Sequence, residues 1–121
     1  MSARVATPKR VEKARAAAKE RDSELQDLIV FVTKSCLAPF ARLRGSMPKS
    51  YSGPEYDRWL KSQTDITETV QQRLRQRGAT VRYTGSGTEV FIAGIKAVSS
   101  WGLQGALLNW RKSATAQRRR R

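Results

Sequence analysis

Side chains able to do covalent or acid–base chemistry are scarce in this chain. Histidine is absent from the 121 residues, which removes the usual general base and the commonest metal ligand. Cys36 is the single cysteine. With no imidazole to take its proton and an apolar run around it, its thiol reads as a small core residue rather than a nucleophile. Asp65 and Glu68 stand one helical turn apart, yet a metal-dependent nuclease needs two or three carboxylates converging on its ions. Acids at that place also suit the first turn of a helix. The Gly85-Ser86-Gly87 run could turn backbone N–H groups toward a phosphate. It lacks the lysine and following helix of a nucleotide-binding loop, so a plain hairpin turn is the simpler reading. The expectation is a protein that is not an enzyme, with no cofactor and no metal.

Cations are plentiful. Lys and Arg number 24 against 10 Asp and Glu, a formal net charge of +14. The excess sits at the two ends: residues 1–22 hold seven basic and three acidic groups, and residues 109–121 hold six basic groups and no acid. Basic arms on a nearly balanced body are what a phosphate backbone attracts, whereas charge kept for solubility would be spread more evenly. The candidate nucleic-acid-binding residues are therefore Lys9, Arg10, Lys13, Arg15 and Lys19 in the first arm, with Arg111, Lys112, Arg118, Arg119, Arg120 and Arg121 at the other end. Arg73, Arg75, Arg77 and Arg82 complete the set from the middle of the chain. A membrane surface would also attract this charge. The basic tail, however, lacks the bulky apolar residues that anchor an interfacial helix, and the longest uncharged apolar run, 28–33, is too short to span a bilayer. No secretory signal is legible, and Glu12, Glu20 and Asp22 interrupt what would otherwise resemble a transit peptide. An intracellular location follows as the expectation.

Three kinds of element must position these groups. Thr7-Pro8 signals a helix start, and the apolar spacing that follows is alanine-thin until Leu25, then dense through Phe40. Residues 1–23 are read as a basic helical arm, and 24–38 as buried helix that Pro39 should kink or end. A short coiled coil through 11–32 is open, though alanines on the seam would leave it weak. After a turn-rich loop, Pro54 starts a helical stretch in which Ile66, Val70 and Leu74 form one apolar stripe, and Gly78 closes it. One continuous helix and two short ones, 55–61 and 65–77, both fit. Val81/Tyr83 and Val90/Ile92 alternate across the glycine turn, predicting a β-hairpin over 79–93. Residues 94–98 would extend its second strand past a bulge. A final helix from Ser99 or Ser100 to about Lys112 should bury Leu103, Ala106, Leu107 and Trp110, followed by a disordered Arg-rich tail over 113–121. Core packing suits Trp59 and Trp110, while Trp101 fits equally well in the core or exposed for stacking on a base.

The fold class is α+β, mainly α, with a single α-rich domain over 24–112 between the arm and the tail. Its order of helices and hairpin is that of a winged helix-turn-helix, with 65–77 as the groove-reading helix and 79–93 as the wing. Gln suits adenine edges and Arg suits guanine edges or phosphates, so duplex DNA is favoured over RNA. The plain alternative is that Gln and Arg are good helix formers on a solvated face. Arg75 also lies about 160° around the helix from Arg73 or Arg77, so the three cannot share one groove. A second functional reading is a structural component of a nucleoprotein particle, binding RNA or DNA without sequence preference. In either case the apolar face of 25–40 is more than a small domain needs, which argues for a homo-oligomer through that face.

Overall fold

Between Pro8 and Glu20 the chain offers only Val11 and alanines for burial; from Leu25 it offers a large apolar residue every three or four positions. The computed structural model describes residues 8–119, and it shows one helix, α1 (Pro8–Phe31), exposed along 12–20 and buried at Leu25 and Leu28. Pro39 does not end the helical path. A π-helical turn, Val32–Leu37, carries it into α2 (Ala38–Gly45). Proline has no N–H for the carbonyl four residues back, here that of Ser35, and its ring would strike that carbonyl in a regular helix. The wider turn makes room: the Ala38 N–H bonds the Thr33 carbonyl, five residues back. The Ser35 carbonyl accepts instead from Arg73 Nη1 at 2.6 Å.

The second helical stretch is a single helix, α3 (Pro54–Gln76). It starts with glycine at φ +96°, proline at its first position, and Glu55 and Asp57 in its first turn. No second helix starts at residue 65: Thr64, just before it, donates its hydroxyl to the Leu60 carbonyl four residues back rather than capping. The end follows the expected glycine stop. Gly78, at φ +79°, donates its N–H to Arg75 and Ala79 donates to Leu74, the paired bonds of a Schellman motif, with Leu74 and Ala79 both buried.

The sheet has three antiparallel strands in sequence order, β1 (Thr80–Thr84), β2 (Gly87–Ile92) and β3 (Ile95–Ser99). The bulge expected at residue 94 is a second tight turn. Ile92 pairs with Ile95, and the two residues between them, Ala93 (φ +54°) and Gly94 (φ +80°), both lie in the left-handed region. That is the turn whose twist matches a hairpin, and it went unseen because alanine replaces the asparagine or aspartate that usually marks it. Gly87 is glycine for a different reason: a Cβ there would meet the Ser99 carbonyl oxygen at 2.3 Å. Its place is set by close strand approach.

One sheet face carries Val81, Val90, Ile92, Ile95 and Ala97, all buried. Helix α4 (Gly102–Arg119) lies on that face with Leu103, Ala106, Leu107 and Trp110, whose indole N–H donates to the Ile92 carbonyl at 3.0 Å. The helix does not stop near Lys112. It continues through the segment expected to be a disordered tail as far as Arg119: Ala114 is fully buried, and α4 packs on α1 as well as on the sheet. The boundaries drawn at residues 23 and 112 thus fall inside continuous helices. Leu25, Leu28, Val32, Cys36, Leu37 and Phe40 complete the same core, joined by Val70 and Leu74 of α3. The apolar face of 25–40 is therefore occupied within the chain, with Val30 the clearly exposed member at 44%, and the packing argument for a homo-oligomer through it falls away. No helix among the described residues is long and apolar enough to cross a membrane.

Candidate nucleic-acid interface

Helices α1 and α4 pack side by side and antiparallel. Arg118 holds Asp22 in a two-pronged ion pair (Nε–Oδ1 2.9 Å, Nη2–Oδ2 3.2 Å) and reaches Gln26 Oε1 at 3.4 Å. Further along, Arg111 Nη1 donates to Thr33 Oγ1 at 3.3 Å. The pairing joins two charge clusters that are almost a whole chain length apart in sequence. Arg15, Lys19 and Arg118 line one cleft with Ala18 and Asp22; Arg111, Lys112 and Arg119 line a second surface, on α4.

Helical geometry sorts the charges of α1 by side. At about 100° per residue, Arg15 and Lys19 lie toward Asp22 and hence toward α4, whereas Glu20, Glu24 and Asp27 fall on the far side. Those three acids line a separate surface with Arg77. Lys13 falls within about 20° of Glu20 on that acidic side, so it is not part of the cationic surface. Lys9 and Arg10 belong to the first turn of α1, and their side chains lie outside the described residues, as do Arg120 and Arg121 entirely.

The middle of the chain employs its arginines differently. Arg73 bonds the Ser35 carbonyl, Arg77 lies over the Phe31 ring with its guanidinium carbon 4.4 Å from the centroid, and Arg82 pairs loosely with Glu89 at 3.9 Å. Arg73 and Arg77 also sit close enough to Cys36 to act on it. Burial pushes the Cys36 thiol up to about 11, and the two guanidiniums pull it partly back. Arg75 is on the other flank of α3, exposed, beside Tyr83. Tyr83 is joined to α3 by Gln71, whose side-chain amide donates to its hydroxyl, and burial raises its phenol while Arg75 opposes that rise. The sequence-level angle between Arg75 and its two neighbours is thus realised as two opposite flanks of the Val70–Leu74 stripe.

Sequence reasoning missed Arg44, which donates to Gln104 Oε1 at 3.0 Å and borders a groove with Trp101, Leu108 and Asn109. No local signal marks it, because its partner is 60 residues away. Trp101 is 87% exposed, which settles its position, and Trp110 is fully buried as expected. Trp59 lies outside the main core in a smaller cluster, stacked on Tyr56, with its indole N–H given to the Leu43 carbonyl at 2.9 Å. Neither protein families, curated proteins nor solved structures give a match to this chain.

Proposed function

We propose that this protein binds nucleic acid without catalysis, through the phosphate backbone, with the α1–α4 pair as its principal contact. The observation that carries this reading is that Arg15, Lys19 and Arg118 line one cleft where α1 meets α4, while Arg111, Lys112 and Arg119 line a further surface of α4. Of the acids on that side, Asp22 is engaged by Arg118 and Glu12 lies within about 20° of Lys19, while Glu20, Glu24 and Asp27 face away. Such a surface neutralises phosphates and releases counterions, so affinity must fall steeply with salt. Duplex DNA is the first ligand to test, by anisotropy of a labelled duplex across a salt series. A slope of log affinity against log salt of about −0.9 for each phosphate contacted supports the reading. Absence of binding to both duplex and single strand at low salt, or binding indifferent to salt, overturns it.

A winged-helix mode is a second reading, favoured by one observation: Gln71 ties the hairpin to α3 through Tyr83, with the exposed Arg75 next to the joint. Since α3 is continuous, its preceding helix in that mode would be α2, across the loop 46–53. Selection from a random duplex pool tests it. An enriched motif that Arg75→Ala abolishes supports groove reading, while uniform enrichment leaves backbone contact and favours a packaging or particle role.

A further inference from the structure

We propose that the outward face of α4 is a track for an unpaired nucleic-acid strand, with Trp101 as the platform on which one base stacks. The inference rests on the nucleic-acid reading above and assigns it a strand type. Trp59 and Trp110 both place their indole N–H on backbone carbonyls, whereas the Trp101 ring stands 87% exposed at the head of α4. Among the described residues it is the most exposed of the large apolar side chains.

The backbone under Trp101 is built to hold it there. Its N–H donates to Ser99 Oγ at 3.0 Å, and Gly102 follows at φ +83°. One turn on, a Cβ at Gly105 would stand 2.3 Å from Ser99 Oγ and 2.9 Å from Trp101 Cβ, so any side chain there would push the tryptophan off its seat.

From that platform a surface runs the length of the helix. At about 100° per residue, Leu108, Lys112 and Arg119 fall within about 40° of one line along α4. The groove beside Trp101 and the cationic surface of Arg111, Lys112 and Arg119 share Leu108 as a common wall, so they are continuous. With a rise of about 1.5 Å per residue the track is roughly 27 Å long. Charge complementarity identifies the occupant: no acid occurs anywhere from Val90 to Arg121. Arg44, already bonded to Gln104, adds a guanidinium with donors to spare at the tryptophan end. Aromatic platforms on a cationic groove are how unpaired strands are held, because every base offers a flat face once it leaves the duplex stack. A duplex offers such faces only at its ends.

The test is titration of the full chain with a short oligothymidylate and, separately, with a duplex of equal length, reading tryptophan fluorescence and anisotropy together. Quenching by the single strand, and a fall of roughly 5- to 150-fold in the single-strand to duplex affinity ratio for Trp101→Ala, support the track. Trp101→Phe should restore most of the ratio, since a smaller aromatic still stacks. An unchanged ratio in Trp101→Ala overturns the platform. A concentration-dependent dimer that this substitution abolishes would overturn it too, making the face a protein contact. If wild type binds neither probe, the nucleic-acid reading itself fails; if it binds both and Trp101→Ala changes nothing, only the platform fails.

Discussion

Arg73, Arg77 and Arg82 end on groups of their own chain, a carbonyl, an aromatic ring and a carboxylate, whereas Arg15, Lys19, Lys112 and Arg119 end in solvent. Both sets look alike in a list of basic residues. The difference comes from what stands opposite. Arg73 faces a carbonyl that Pro39 cannot satisfy, and Arg77 faces a half-buried phenylalanine, so their charge serves packing between α3 and the first helical rod. The cations of the α1–α4 pair face one another and Asp22, with Glu12 on the same side of α1, and they outnumber those acids. Residue type therefore does not mark an interface; the balance of charge on the surface it joins does.

The largest expected effect breaks the outward set. Changing Arg15, Lys19, Lys112 and Arg119 together to Gln should flatten the salt slope for duplex DNA by about 3 to 4, at roughly 0.9 per contact. An unaltered slope would move the interface to α3 and erase the distinction between the regions.

The inward set should answer in stability. Cys36, between Arg73 and Arg77, has a thiol raised from 9.0 to about 11, chiefly by burial. A group held protonated in this way contributes stability that is complete below the unfolded value and lost as pH rises through the folded one. Between pH 9 and 11 the wild type should therefore lose roughly 1–3 kcal/mol that Cys36→Ala does not, measured by urea unfolding at several pH values. Parallel curves for the two proteins would mean that the thiol is solvated.

Arg73→Ala should cost about 1–2 kcal/mol, since it leaves the Ser35 carbonyl without its charged donor. The salt slope should change little. A slope reduced by about 0.9 with stability intact would place Arg73 among the phosphate contacts instead.

The smallest effect sits at the junction of the two helices. The Arg118–Asp22 pair is about one-third exposed on each side, so Asp22→Asn should change stability little. It also frees Arg118, and the salt slope should steepen by up to about 0.9. A shallower slope would show that Asp22 holds Arg118 in its binding position.

Much of the local structure was legible because short-range physics wrote it. The start at Pro54, the Gly78 stop, the Val81/Tyr83 and Val90/Ile92 alternation and the buried residues of α4 depend on neighbours within a few positions. The misreadings share one cause. Pro39 was tolerated because Arg73 came from 38 residues away, and the turn at Ala93–Gly94 is held by Arg21, which donates to the Ala93 carbonyl across 72 residues. Helix α4 ran past Lys112, with Ala114 buried and α1 to pack on, and an isolated stretch of Ser, Ala, Thr and Gln shows no apolar stripe to announce that.

The sequence by itself determined the net charge of +14, its concentration at the two ends, the absence of histidine and the periodicities that make helices and strands. These are properties of composition and of near neighbours, and they survive any arrangement of the chain. Only the tertiary structure decided which cations meet solvent and which meet a partner, that the basic parts of α1 and α4 lie side by side, and that Trp101 stays outside while Trp110 is enclosed. Those outcomes depend on contacts between residues far apart in sequence, where each side chain's role is set by what the fold places against it.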